Sequence, residues 1–379
     1  MAFLTHSAAR SGAELFVLRV TRAARTLRPL VVLGEEGPLV DDLREAGVRT
    51  IVAPLAAGVG SHAADSRPGP LVLARHALGV VRGAEDLARV LRDEGASVVT
   101  THSAKAHVYG GVAARRAGLP HVAHLHDHVG GPHVSHLNAA VLRTALRTLP
   151  SGIVANSRTT LDSLGATTRP ATIVGCPVAL PATVPAPAAP GSTAPALLML
   201  GRLTPWKGQD VVVRALARAR ERGLDGRVGL RLVGAPLFGD DDRYVTALHD
   251  LVAELGLDDV VEFAGHRQDV DAELARADVC LHASIRPEPF GQVVLEAMAA
   301  GRAVVASAAG GPAEFVRDGH DGLLTPPGDV DALADALLRL AGEPALRRRL
   351  GDAARRSAAR FDLPLVVGQF EQVVLSHAR

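Results

Sequence analysis

The sequence predicts an α/β chain built from two doubly wound, Rossmann-like domains. Three observations carry that expectation. Short β-branched runs alternate with longer segments whose apolar residues recur at helical spacing. An uncharged, proline-rich stretch, Pro177 to Pro195, interrupts the alternation near its middle. The length, 379 residues, suits two domains of ordinary size better than one.

In the first half the strand candidates are AFLTH, LVVLG, TIVAPL, SVVTTH, HVAHLHD, GIVANS and ATIVGC. Helical patterns such as Ala13 to Leu27 and Ala104 to Ala117 lie between most of them. After the prolines the order resumes with ALLML, VGLRLVG, VVEFAG, VCLHAS, AVVAS and GLLTP, again separated by helical segments. Such alternation implies parallel sheets with helices on both faces. The expected organisation is a first domain over 1–178, a linker over 179–195 and a second domain over 196–360. A last helix over 361–379 has no strand left to pair with and is expected to cross back onto the first domain; Asp362 is its possible cap, with Pro364 in the first turn. Ala56 to Pro70 reads as a mobile surface loop. Doubly wound domains bind ligands outside the carboxyl ends of their strands, so loops from both domains are expected to line a central cleft.

Composition excludes several classes. Apolar residues make up 47% and aromatics 3%, so the cores must be built from Ala, Val and Leu. A formal charge of +1 gives no basic excess for nucleic acid. Cys176 and Cys280 sit in unrelated contexts, which fits neither a disulfide framework nor a zinc site and suits a reducing, cytoplasmic setting. No run is long and apolar enough to span a bilayer, and no signal peptide follows Met1. The basic run Arg347 to Arg349 reads as a solvated helix face, with at most a peripheral contact to anionic lipid.

Gly58 to Ala63 formally matches a dinucleotide fingerprint, but the DSRPGP that follows cannot open the helix such a site needs. The stretch LLMLGRLTPWKGQD carries more. Arg202 and Lys207 lie between a strand ending at Leu200 and a helix starting near Gln209. Two cations beside a helix N-terminus suit a phosphate or diphosphate. In RPEPFGQVVLEAMAAG, Pro287 and Pro289 keep Glu288 in a loop above a strand. The helix that follows has Gly291 in its first turn and Gly301 past its end, and Glu296 lies more than a turn along it. The amides near Phe290, Gly291 and Gln292 are expected to face the ligand.

Six histidines fall in HVAHLHDHVGGPHVSH, and His124, His126 and His128 alternate on one strand face. Imidazoles at short spacing bind zinc. Only Asp127, on the opposite face, is at hand to complete such a set, so no metal is expected. His126 is expected in the cleft, and the others at the surface or in loops. His102 and Lys105 follow another strand end and could line that side.

These stretches together resemble the retaining glycosyltransferases of family 4, which have the two-domain GT-B fold. The likeness rests on Glu288 to Glu296 with EPFG, on EAMAAG, on Gly310-Gly311 with Glu314, on GRLTPWKG, and on HSAARSGAEL, where Ser11 replaces one glycine of the family's first loop. The resemblance implies a nucleotide-diphospho-sugar donor, with uridine the commonest base, held mainly by the second domain. Arg202 and Lys207 would hold the diphosphate and Glu296 the ribose. Glu288 with Pro289 and the amides of Phe290, Gly291 and Gln292 would hold the sugar. His266 and Arg267 would lie near the base, Gly12 near the phosphate and acceptor, and His126 near the donor sugar. Ser11, His102, Lys105 and His128 are acceptor-side candidates. No cofactor or metal is implied, because two cations and helix amides can stabilise the leaving diphosphate and no Asp-x-Asp element is present. The acceptor is a small molecule, glycolipid or polysaccharide; nothing in the first half names it. Rival readings are a sugar-nucleotide 2-epimerase of the same fold, a non-catalytic sugar-nucleotide binder, and a glycosidase using Glu288 and Glu296 as acid and base.

Overall fold

The computed structural model describes residues 1–54, 70–131, 134–183, 194–236 and 239–378. Thirteen strands are found among them, one for each of the apolar runs above. The first sheet is built from β1 (Ala2–Thr5), β2 (Leu30–Leu33), β3 (Arg49–Val52), β4 (Val99–Thr101), β5 (His121–Leu125), β6 (Gly152–Ala155) and β7 (Ala171–Ile173). The second holds β8 (Leu197–Leu200), β9 (Leu230–Val233), β10 (Val261–Gly265), β11 (Val279–His282), β12 (Ala303–Ser307) and β13 (Leu323–Thr325). All pairings within both sheets are parallel.

Strand order is β3-β2-β1-β4-β5-β6-β7 in one sheet and β10-β9-β8-β11-β12-β13 in the other. Each order reverses once, between β1 and β4 and between β8 and β11. At such a switch point the loops leave in opposite directions and open a crevice at the strand ends. Consecutive residues of β1, β2, β5, β6, β11 and β12 are all buried, as strands covered on both faces require. The core of the second sheet is almost wholly Val, Leu and Ala.

The chain divides into two compact units, Met1–Pro177 with Leu363–Arg379, and Val178–Asp362. Within the first unit the last helix, Leu363–His377, packs on the helix Gly12–Ala23. The Phe370 ring lies 5.4 Å from Phe16 and 6.0 Å from Phe3. Glu371 accepts hydrogen bonds from the Arg25 and Thr26 amides and from the Thr26 hydroxyl, at 2.7–3.2 Å.

Residues 184–193 of the proline-rich stretch lie outside the described residues, as do 56–69 of the expected surface loop with its Gly58–Ala63 decoy; Pro70 opens the helix Pro70–Asp93. The basic run needs a correction. Arg348 and Arg349 are exposed, but Arg347 is 6% exposed and donates to the Leu340 and Ala341 carbonyls. Its guanidinium satisfies the carboxyl end of the preceding helix, Val330–Gly342, rather than facing solvent. Among the described residues no helix is long and apolar enough to cross a membrane, and Cys176 and Cys280 are both buried.

Candidate active site

In the second unit the loops after β8 and β11 meet at the switch point. After Leu200 the chain makes a short 3-10 turn, Pro205–Lys207, and enters the helix Gln209–Glu221. Gly208 joins the two with φ +73°, and a Cβ there would lie 2.2 Å from the Ala283 carbonyl oxygen. That close approach brings the turn against the loop after β11, where Ile285 N–H donates to the Trp206 carbonyl at 2.9 Å. Lys207 and Glu288, 81 residues apart in sequence, are thereby placed side by side: Nζ donates to Oε2 at 2.7 Å. The ammonium also lies 4.2 Å from the centre of the Trp206 ring. Arg202, on the same loop, has Nε 3.9 Å from Asp241 Oδ2.

Glu288 is gripped from beneath. Ser284 Oγ donates to its Oε2 at 3.0 Å, and His282 Nε2, at the end of β11, lies 3.4 Å from the same oxygen. Burial pushes this carboxyl upward, but the Lys207 charge and the His282 hydrogen bond outweigh it and hold Glu288 well below the usual carboxylate range. His282 and Ser284 were not among the expected site residues. They sit in an apolar strand run, and the only signal for them was their position at its carboxyl end.

The double glycine closes the loop from above. Gly310 has φ +71°, and a Cβ on it would fall 2.2 Å from the Glu288 carbonyl oxygen. Gly311 N–H donates to that same oxygen at 2.7 Å. Gly310→Ala therefore carries a left-handed backbone cost of about 1–3 kcal/mol and must also displace Glu288. Urea unfolding of the variant should show this loss of stability.

The helix after this loop is Gln292–Ala299, with Gly291 at its N-cap (φ +89°) rather than inside its first turn. Pro289 and Phe290 lead into it, and Phe290 packs 5.3 Å from the Phe315 ring. Glu296 is half-buried, one turn along, and accepts from Gln292 Nε2 at 3.2 Å. His266 and Arg267 follow β10 and are exposed; Arg267 Nε lies 3.7 Å from Glu273.

The first unit brings Ser11 and Gly12 to the end of β1 and His102 and Lys105 to the end of β4, the two strands of its own switch point. Gly12 is exposed, and a Cβ there would meet nothing within 4 Å. Glu14, which sequence reasoning left unassigned, is buried beneath this loop and accepts from the Thr5 hydroxyl at 2.7 Å and from the Ser11 hydroxyl. Burial raises its carboxyl above the ordinary value despite those bonds.

The histidines are the main correction. His121 and His124 are buried, not surface residues. His126 is 7% exposed, and its Nε2 is turned onto Nδ1 of His102 at 3.1 Å; His102 itself is 1% exposed. His126 and His102 are thus partnered with each other within the first unit. Burial lowers His102 and His124 well below the ordinary imidazole value and His126 to about 3. His128 and Lys105 are half-exposed and Asp127 exposed, while His133 lies outside the described residues.

With this geometry in hand, the relatives can be placed. The profile of the family Glycosyl transferases group 1 matches residues 185–357, and that of Glycosyltransferase Family 4 matches residues 37–179. Between them the two glycosyltransferase profiles span most of the chain, the group 1 profile lying on its second half. HepE of Anabaena, solved in complex with UDP and glucose, matches with TM-score 0.83 and 28% identity over 99% of both chains, and the fold is GT-B. A D-inositol 3-phosphate glycosyltransferase of Stackebrandtia nassauensis is 43% identical over 169 residues, covering 42% of this chain and 37% of that protein. An exopolysaccharide phosphotransferase of Streptomyces coelicolor is 39% identical over 198 residues, 52% of this chain and 20% of that protein. The chain thus spans well under half of either of these two curated relatives.

Proposed function

We propose that this chain transfers a glycosyl unit from a nucleotide-diphospho-sugar, a UDP-sugar, to an acceptor hydroxyl with retention of configuration and without a metal ion. The observation that carries the reading is the convergence of Lys207 and Glu288 at the β8/β11 switch point, with Arg202 on the same loop. A diphosphate arriving there meets two cations and the N-terminal amides of two helices. Charge accumulating on the leaving diphosphate is stabilised without protonation or a Lewis acid. Lys207 donates to Glu288 in the structure; the donor's phosphate replaces that carboxylate as its partner, and Glu288 turns its acceptor oxygens to sugar hydroxyls. Glu296, one turn along its helix, is placed to accept from the vicinal hydroxyls of the ribose. The acceptor hydroxyl attacks on the face the diphosphate leaves and gives its proton to a phosphate oxygen, so no protein carboxylate acts as nucleophile.

The low pKa direction of Glu288 favours this over a glycosidase, because a general acid must hold its proton near neutral pH. UDP in the HepE structure is consistent with the choice of base. The reading is tested by incubating the chain with a panel of nucleotide sugars and candidate acceptors in the presence of a chelator. Acceptor-dependent nucleotide release with at least one UDP-sugar, and an anomeric configuration in the product equal to the donor's by NMR, is the expected result. Conversion of the nucleotide sugar without any acceptor would favour a 2-epimerase instead.

A further inference from the structure

The first unit contains a group of side chains that nucleotide-sugar transfer does not use. His102, at the end of β4, and His124 and His126, in and just beyond β5, each offer one ring nitrogen, and these nitrogens all lie within 4.8 Å of one another. Sequence spacing pointed to His124, His126 and His128; the fold replaces His128 with a histidine from the neighbouring strand. We propose that His102, His124 and His126 form a binding site for a single zinc-type divalent ion that fastens the ends of β4 and β5 together. The inference does not depend on the transferase reading.

Three observations carry it. The first is an orphaned side chain. His124 is fully buried, and neither of its ring nitrogens has a hydrogen-bond partner. A neutral imidazole has one donor and one acceptor, and leaving both unsatisfied in an apolar interior is unfavourable. Phe16 and Phe370 pack against this ring at 4.5 and 5.4 Å and can offer it neither a donor nor an acceptor of ordinary strength.

The second is the orientation of His102. Its Nε2 lies 3.0 Å from the Thr100 hydroxyl, which in turn donates to the Ala2 carbonyl. With His102 protonated at Nε2, Thr100 Oγ accepts that N–H and Nδ1 is a lone pair facing the cluster. Metal-bound histidines are held in this manner, with the non-ligating N–H anchored by an oxygen that fixes tautomer and ring plane.

The third is distance. Two nitrogens on one tetrahedral zinc, each about 2.0–2.1 Å from it, lie about 3.3 Å apart. His102 Nδ1 and His126 Nε2 are already 3.1 Å apart. The His124 and His126 ring centroids lie 4.0 Å apart with the planes tilted by 40°, and the His124 nitrogen is within 4.8 Å of the other two. Apolar burial disfavours imidazolium, and the neutral ring is the ligating form. Three imidazoles leave the fourth position to a water-derived oxygen, the ligand count of many zinc sites.

The test uses the full chain, stripped with a chelator and dialysed. Zinc chloride is titrated by calorimetry, and cobalt(II) by visible absorption. The expected result is one equivalent of metal, a higher melting temperature on loading, and the intense d–d bands of four-coordinate cobalt. His124→Phe fills the same space against Phe16 and Phe370 and should remove the equivalent and the bands; if it does not fold, His102→Gln is read in the same way. Failure of the folded wild-type chain to take up metal would overturn the proposal and leave a buried water as the partner of His124. Undiminished uptake by the folded variant would overturn it equally, by placing the ion on other histidines.

Discussion

Replacing both Arg202 and Lys207 with alanine is expected to lower turnover at least about 10³-fold. Removing a single preorganised donor to a developing negative charge typically costs about 10²–10³ in rate, and this double variant removes both cations of the diphosphate loop. The two residues act differently, which makes the single variants informative. Arg202 is half-exposed, with Nε 3.9 Å from Asp241 Oδ2, and Arg202→Ala should weaken donor handling more than stability. Lys207 holds a carboxylate that is largely out of water. Lys207→Ala leaves Glu288 without its cation, and breaking such a pair from one side is destabilising. Turnover measured with saturating acceptor, together with urea unfolding of each variant, separates loss of catalysis from loss of fold. Rates within tenfold of wild type in the double variant would remove the diphosphate assignment.

Acidification should destabilise the first unit strongly. Thr101 Oγ1 lies 2.7 Å from His107 Nδ1 and 2.9 Å from His121 Nε2, and all three residues are buried. One hydroxyl can donate to only one of these nitrogens, which must then be unprotonated, and burial disfavours charge on both rings. Burial pushes His121 down to about 4 and His107 well below its ordinary value. In the unfolded chain both titrate near 6.5. The folded-state values are depressed, so below about 6.5 the unfolded chain binds protons that the fold refuses. The stabilisation is complete above that pH and is lost as pH falls towards the folded values. At pH 5.5 each histidine forfeits about 1.4 kcal/mol, so the pair contributes a loss of about 3 kcal/mol relative to pH 7.5. Urea unfolding at the two pH values measures this directly. A total fall below about 1 kcal/mol would contradict neutral burial, and His121→Gln should remove about half of the pair's share.

Much of the fold was legible because its signals are local. Each of the thirteen strands is a short apolar run, and a strand buried on both faces needs nothing else to be seen. The loops after β8 and β11 were legible for a similar reason: Gly201, Pro287 and Pro289 mark where regular structure stops, and Arg202, Lys207 and Glu288 sit just beyond. What local signals cannot supply is which strands are neighbours. Lys207 and Glu288 were assigned to a phosphate and to a sugar; their contact depends on β8 lying beside β11. His282 and Ser284 escaped notice because a strand-end residue earns a role only through what lies above it.

The histidines failed on the same ground. Alternation correctly put His124 and His126 on one face, since side chains two apart in a strand share a side. It could not say that helix Gly12–Ala23 and the last helix, more than two hundred residues away, cover that face with Phe16 and Phe370. A polar run that looks exposed in sequence is thereby buried, and His102 joins it from β4. Arg347 is the reverse case: one member of a charged run turns inward because the end of the preceding helix offers it carbonyl oxygens.

The central claim is that Arg202 and Lys207 hold the diphosphate of a nucleotide sugar while Glu288 holds the sugar. A crystal structure of the chain with UDP tests it most directly. The account predicts the β-phosphate about 3 Å from Lys207 Nζ, within hydrogen-bond reach of Arg202, and a Lys207–Glu288 separation longer than the present 2.7 Å. UDP phosphates bound elsewhere, with Lys207 still paired to Glu288, would contradict it.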